Sequence, residues 1–171
     1  MGGAPLPRLG KEQRMPKVHP FLWFDTQAEE AANLYVSLFP NSRIVSVARY
    51  GEGAPGPKGA VMTVSFELDG QRFTALNGGP LFKFTEAVSF SVECGDQAEV
   101  DRYWSALTAG GEESRCGWLK DRFGLSWQIT PRALGQLLGD PDPAKSRRVM
   151  EAMLKMNKIV IADLERAHAG N

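Results

Sequence analysis

A strand, a helix and three further strands succeed one another between Lys17 and Asn77, and the same order returns in shorter form between Ala87 and Thr130. In the first half, KVHPFLWF at 17–24 reads as a strand, and Asp25 or Thr26 stands where a helix cap belongs. The helix runs through Glu29, Glu30, Ala31, Ala32 and Leu34 to Phe39, and Pro40 and Asn41 stop it. Ile44–Tyr50, Ala60–Leu68 and Gln71–Asn77 read as three strands, the last two joined at Asp69-Gly70, a dipeptide suited to the positive φ angles of a tight hairpin. In the second half a strand over Ala87–Cys94 precedes a helix starting near Asp96, on which Val100, Tyr103, Trp104 and Leu107 share a face; Gly110 and Gly111 end it. Short strands around Glu113–Cys116 and Trp118–Lys120 lead to a closing strand at Leu125–Thr130. Such a unit hides one sheet face beneath its helix and leaves the other to curve around a cavity. The expected fold class is therefore α+β: two βαβββ modules at about 17–80 and 85–131, within one domain spanning 15–131.

The most distinctive stretch is CGWLKDRFGLSWQIT at 116–130. Trp118, Phe123 and Trp127 are too apolar to leave in water, and Asp121, Arg122, Phe123 and Gly124 supply turn chemistry. After the turn, Leu125, Trp127 and Ile129 alternate with Ser126, Gln128 and Thr130, the period of a strand with one apolar and one polar face. That polar face either meets solvent or lines a pocket, and periodicity does not separate the two.

After Pro131 a short helical piece, Arg132–Leu138, ends at Gly139, and DPDP leads into a long helix from about Ala144 to Ala167. Together these form a C-terminal helical extension at 132–168. Val149, Met153, Met156 and Val160 repeat at helical spacing, a face expected to pack on the sheet or on a second subunit. At the other end, residues 1–14 are rich in Gly, Pro and charge and read as a mobile extension.

The 20 Lys and Arg balance the 20 Asp and Glu, so no basic stripe points to nucleic acid or to an anionic membrane. No apolar run approaches the about 20 residues that span a bilayer, and the N-terminus lacks a signal-peptide core, so a cytoplasmic location is expected. Cys94 and Cys116 are too few for a disulfide scaffold and are expected to be reduced.

Few constellations carry chemistry. GEGAPG at 51–56 matches G-x-G-x-x-G by letter, yet a strand follows it rather than the helix whose N-terminus would hold a phosphate. It reads instead as a connection suited to a flap over a pocket. On the first strand His19, Phe21 and Trp23 share a face, placing an imidazole beside two aromatic rings, where it would bind a metal or move a proton if that face lines a cavity. His168 falls in the frayed C-terminal end. No Ser-His-Asp order, P-loop or HExxH run occurs, and Ser126 lacks the glycines of a nucleophile elbow. Cys116 is a weaker nucleophile candidate that would need a depressed pKa, with Arg115 and Lys120 the nearest cations.

The segments HPFLWFDTQAEEAANLYVSLFPNS, FELDGQRFTALNGGP, FTEAVSFSVECGDQAEVDRYW and CGWLKDRFGLSWQITP closely resemble the PhnB-like family, whose members are also called 3-demethylubiquinone-9 3-methyltransferase-like. That family is similar to the vicinal oxygen chelate superfamily of glyoxalase I, bleomycin-resistance proteins and extradiol dioxygenases. The resemblance spans Met15 to about Ala167 and implies paired βαβββ modules curled around a shared cavity. The superfamily's metal enzymes carry ligands on the first and last strand of each module. By motif these positions fall near His19, near Ala75–Asn77, at Ala87 and at Gln128. His19 and Gln128 are the residues that would hold a divalent metal; Ala87 breaks the set of four. Glu86 is adjacent to Ala87, but a shift of one residue along a strand would turn its side chain to the opposite face. The methyltransferase name finds no support in the residues, which show no doubly wound nucleotide-binding unit.

The reading that follows is a small-molecule-binding protein whose cavity is lined by His19, Phe21, Trp23, Asn77, Ser89, Ser91, Ser126, Gln128 and Thr130. His19 would serve as general base, and Gln128 and Asn77 would orient the ligand. No cofactor is expected, and the resemblance implies a homodimer. Two alternatives stand beside it: a metal-dependent lyase, isomerase or dioxygenase, and a non-catalytic dimer that sequesters its ligand as bleomycin-resistance proteins do.

Overall fold

A computed structural model describes residues 17–171, so the N-terminal extension read at 1–14 lies outside the described residues. The first module comprises β1 (Phe21–Phe24), α1 (Ala28–Leu38), β2 (Arg43–Arg49), β3 (Val61–Leu68) and β4 (Gln71–Asn77). The second comprises β5 (Ser89–Cys94), α2 (Gln97–Thr108), β6 (Glu112–Glu113), β7 (Trp118–Lys120) and β8 (Ser126–Pro131). Their sheets run β1-β4-β3-β2 and β5-β8-β7-β6, each with one parallel pair, β1 with β4 and β5 with β8, and antiparallel pairs elsewhere. The duplication in the sequence is thus a duplication of connectivity.

Local chemistry explains the joints. Asp69 and Gly70 take φ of 46° and 79°, the two positive values of a tight hairpin turn, and so set Leu68 opposite Gln71. Cys116 and Gly117 do the same at 58° and 83°, with the Trp118 N–H donating to the Arg115 carbonyl at 3.0 Å. Asp96 caps α2, accepting from the Glu99 N–H at 2.9 Å. At α1 the expected caps Asp25 and Thr26 are not used. Gln27 occupies that position without a side-chain bond, and the Ala28 N–H donates to Asn77 Oδ1 at 2.8 Å, across from β4.

Each helix covers the apolar side of its own sheet. Ala28, Ala31, Ala32 and Tyr35 of α1 meet Leu22, Phe24, Val64, Phe66, Phe73 and Ala75, the alanines letting the helix sit close. Val100, Tyr103, Trp104 and Leu107 of α2 meet Cys94, Leu119, Trp127 and Ile129. The two helix-covered sides merge into one core. Phe39 stacks on Tyr103 and on Trp127 with ring centres 5.0 and 5.5 Å apart, and Phe73 meets Phe90 at 5.3 Å.

The turn between β7 and β8 enters this core through Asp121, which is 3% exposed. Its carboxylate accepts from Tyr35 Oη at 2.6 Å, Trp127 Nε1 at 2.9 Å, the Phe123 N–H at 2.9 Å and the Leu125 N–H at 3.0 Å. Burial, and next the Asp121 charge, push the Tyr35 phenol well above its ordinary range.

The C-terminal region departs from expectation. In place of one long helix stand α4 (Pro143–Met153) and α5 (Ile161–Ala169), after α3 (Arg132–Leu138). The break has a tertiary cause: the carbonyls of Met156 and Asn157 accept the N–H groups of Cys116 and Gly117, each at 2.8 Å, and a continuous helix would have used them internally. Gln97 restarts the chain, its side-chain oxygen accepting the Ile161 N–H at 2.8 Å while its amide donates to the Ile159 carbonyl. Val149, Ile159, Leu164 and Leu134 form a small separate core, with Met153 and Met156 packed against it, so the methionine face is mostly internal to the extension. His168 is not frayed: its Nε2 lies 2.8 Å from Asp140 Oδ2, and Arg148 donates to the carbonyls of Ala167 and His168.

Asp121→Ala orphans four donors, and because each buried orphan costs about 1–3 kcal/mol, urea unfolding is expected to show a loss of roughly 3 kcal/mol or more. Asn77→Ala removes the α1 cap and should cost about 1 kcal/mol in the same assay. Burial lifts the Cys94 thiol from 9.0 to about 11. Its contribution to stability is therefore complete below pH 9.0 and lost as pH rises towards about 11, because the unfolded chain ionises first. Ellman titration of the native protein near neutral pH should leave Cys94 unmodified until denaturant is added.

Candidate functional site

Because the helix sides merge into one core, the opposite faces of both sheets point away from it. On the first sheet that outward face carries His19, Phe21 and Trp23, as their alternation requires, beside Arg72 and Thr74 of β4 and Ser65 and Glu67 of β3. His19 Nε2 lies 3.3 Å from Thr74 Oγ1, and the Trp23 indole N–H donates to the Gly79 carbonyl at 2.9 Å. Phe21 stands 58% exposed, and Phe82, equally exposed, meets the Trp23 ring edge-on at 4.9 Å.

On the second sheet the outward face joins Ser89, Ser91 and Glu93 of β5 to Ser126, Gln128 and Thr130 of β8, pair by pair in parallel register. Trp118 and Lys120 of β7 extend it, opposite Gln128 and Ser126. Gln128 donates to Ser89 Oγ at 2.9 Å. Ser126 is buried, and its hydroxyl has no partner among the described residues. It closes the floor of a small cavity of about 120 Å³ beside Glu86, Glu112 and Lys120.

The expected cavity residues therefore fall into two groups on two sheets. His19, Phe21, Ser89 and Gln128 line none of the five cavities described here; Trp23, Ser91, Ser126 and Thr130 line three different ones between them, with Ser91 also bordering a fourth. The largest of the five, about 600 Å³, lies at a seam between the modules and is walled by Phe39, Phe73, Phe90, Tyr103 and Trp127.

Asn77 belongs to neither group. Its parity along β4 puts it with Phe73 and Ala75 on the helix side, where its carbonyl caps α1 and its amide donates to Val61 O at 3.1 Å. There it borders a cavity of about 460 Å³ walled by Tyr50, Pro55, Gly56 and Pro57, so the GEGAPG connection does close over a pocket, though not over His19. Gly56 lies flat against the Tyr50 ring, where any Cβ would collide, and Tyr50 Oη donates to the Asn77 carbonyl at 2.7 Å.

Glu86 also corrects the sequence reading. β5 begins only at Ser89, so strand parity does not govern position 86, and the Glu86 carboxylate pairs with Lys120 on the Ser126 face. That pairing lowers the Glu86 pKa and raises that of Lys120. Cys116 sits in the turn described above as a partly buried free thiol, its own N–H and that of Gly117 committed to the α4–α5 connection.

Within one chain the donors for a divalent metal do not come together. His19 and Gln128 lie on different sheets, Ala87 has no donor, Asn77 is committed to the helix, and no group of three His, Cys, Asp or Glu converges among the described residues. Arg72 has no place in the sequence reading, and Glu86 enters it only on the opposite sheet face. The signal for Arg72 in the sequence is its place two residues before Thr74, on the same face of the Gln71–Asn77 strand.

The 3-demethylubiquinone-9 3-methyltransferase family matches residues 16–130, which ends where the C-terminal helices begin. No curated protein matches the chain. Among solved structures, the PhnB protein from Bacillus cereus is 38% identical over 68% of this chain and 99% of its own, with a TM-score of 0.64. The protein PA1353 from Pseudomonas aeruginosa is 21% identical over 68% and 97%, with a TM-score of 0.57. The fosfomycin resistance protein FosX from Listeria monocytogenes is 16% identical over 66% and 89%, with a TM-score of 0.46. With the two βαβββ sheets described above and the match across both of them, the chain belongs to the PhnB-like 3-demethylubiquinone-9 3-methyltransferase family.

Proposed function

We propose that this protein binds a small organic molecule between the polar faces of its two sheets, brought opposite one another by a second copy of the chain. One observation carries the reading: each sheet commits its α1 or α2 side to a shared core and keeps the hydroxyl, amide and imidazole groups of His19, Thr74, Ser89 and Gln128 on the side that neither of those helices covers. A polar face of His19, Thr74, Ser89 and Gln128 needs an opposing wall to enclose a ligand, and among the described residues none of the five cavities takes in any of these four side chains. Exposed Phe21, with exposed Phe82 edge-on to Trp23, gives that side an apolar rim on which a partner would bury surface. In the resulting homodimer the aromatic rings of Phe21, Trp23 and Trp118 wall the ligand, Gln128 and Ser89 orient it, and His19 is the one imidazole placed to accept a proton from it. The family's methyltransferase name implies a nucleotide crevice at a glycine-rich strand-to-helix turn. Here the first strand of each module reaches its helix through Asp25–Gln27 or Gly95-Asp96, the latter closed by the Asp96 cap, so the reading is of ligand binding rather than methyl transfer.

Sedimentation velocity at micromolar concentration should give a dimer. Native mass spectrometry of that dimer, purified from cells without a histidine tag, should show a bound small molecule that both His19→Ala and Gln128→Ala remove while the dimer persists. A monomer, or a ligand that survives both substitutions, would sink the proposal.

A further inference from the structure

The outward face of the first sheet carries an imbalance of charge that its own residues do not resolve. Arg43 and Arg72 flank Glu67, which lies opposite each of them across β2–β3 and β3–β4. Glu67 gives its carboxylate to Arg43, accepting from Nε at 2.8 Å, and that contact, with the charges of Arg43 and then Arg72, lowers the Glu67 pKa. Arg72 acts on Glu67 through its charge alone. Its side chain makes no hydrogen bond or ion pair among the described residues, and its Nε–H is sealed from solvent without a partner. No second carboxylate stands on this face: β1 offers His19, Phe21 and Trp23, β3 offers Thr63, Ser65 and Glu67, and β4 offers Arg72, Thr74 and Leu76.

The sealed Nε–H is a costly donor that nothing outside the chain can reach, so an external acceptor meets this guanidinium through its two terminal nitrogens, which are neither sealed nor bonded among the described residues. The neighbours are suited to such an acceptor. His19, just before β1, reaches Thr74 Oγ1 at 3.3 Å, and Thr74 shares its face of β4 with Arg72 two residues earlier. Guanidinium, imidazole and hydroxyl thus share one side of one sheet edge, a set of donors without a competing acid.

We infer that Arg72, with His19 and Thr74, forms an oxyanion-recognition site, and that the small molecule bound by this protein carries a carboxylate, phosphate or phosphonate group held there. The inference rests on the ligand-binding reading above and adds to it the class of ligand. The remainder of the molecule would face the hydroxyl and amide groups of Ser89 and Gln128, which are neutral and set no charge requirement.

The test is the guanidinium Nε–Hε correlation of the isotopically labelled full chain, with the Arg72 signal assigned by its loss in Arg72→Lys. Inorganic phosphate, methylphosphonate and acetate are titrated in separate arms, with urea as a neutral control. The Arg72 signal should move and saturate with at least one oxyanion and stay still with urea, the responding arm identifying the group. Removing a charge-assisted hydrogen bond should weaken that binding roughly 10- to 100-fold in Arg72→Gln. Arg147→Gln, on the exposed face of α4 beside Glu151, should bind the anion as wild type does. An Arg72 signal unmoved by all three anions, or undiminished affinity in Arg72→Gln, overturns the inference. A dimer that retains its co-purified ligand while Arg72 stays silent would refute this site alone, whereas a monomer whose Arg72 signal saturates would uphold it and refute the composite cavity.

Discussion

One carboxylate fixes how the two modules meet. Asp121 collects the hydroxyl of Tyr35 from the first module and the Trp127 indole and two turn N–H groups from the second. A buried charge is tolerated only when its acceptor sites are filled, and here they can be filled only if α1 lies against the β7–β8 turn. The stacking of Phe39 on Tyr103 and Trp127 follows from that placement, as does the position of β8, since Trp127 is both a ligand of Asp121 and a member of the strand that carries Gln128. Docking the modules by their helix sides turns both polar sheet faces outward. The geometry of the candidate site is thus a consequence of how the core is closed.

The C-terminal extension works on the same hairpin from its other end. The Cys116-Gly117 turn gives its N–H groups to Met156 and Asn157, and the Gly117 carbonyl accepts the Ile129 N–H at 2.7 Å. β7 and β8 are therefore held at the Asp121 turn by α1 and at the opposite end by the α4–α5 connection. A short three-stranded edge of this kind is a weak structure by itself, and clamping both ends gives Gln128 and Ser126 fixed positions. Gln97 links this clamp to α2, so the extension is packed on the second module although it lies beyond the region that the family match covers.

What could be read in advance was whatever depends on neighbours along the chain. The Asp69-Gly70 hairpin, the Asp96 cap and the alternation of Leu125 to Thr130 are local events, and each formed where the residues called for it. The features that escaped are those in which a distant group supplies the partner. Nothing near Ala28 announces that Asn77 will cap α1, and nothing in the methionine spacing announces that two carbonyls will be claimed by a turn forty residues earlier in the fold. Glu86 was misassigned by extending strand parity to a residue outside the strand. The outward groups of residues were legible as faces; which way those faces look was not, because that is decided by Asp121 and Tyr35 rather than by the strands themselves.

A binding site divided between two copies would have thermodynamic consequences that a site within one chain lacks. Ligand and partner then act on the same equilibrium: a molecule that touches both walls binds the dimer and not the monomer, so each stabilises the other by mass action. The outward Arg72 fits this arrangement in a further way. A guanidinium without an acceptor weakens any interface formed around it, and an oxyanion that fills the vacancy removes that penalty at the moment it binds. The group would therefore serve selection as well as affinity, because a neutral ligand of the same shape would leave the half-buried cation without an acceptor, and the hydroxyl and amide wall around Gln128 offers nothing that would compensate.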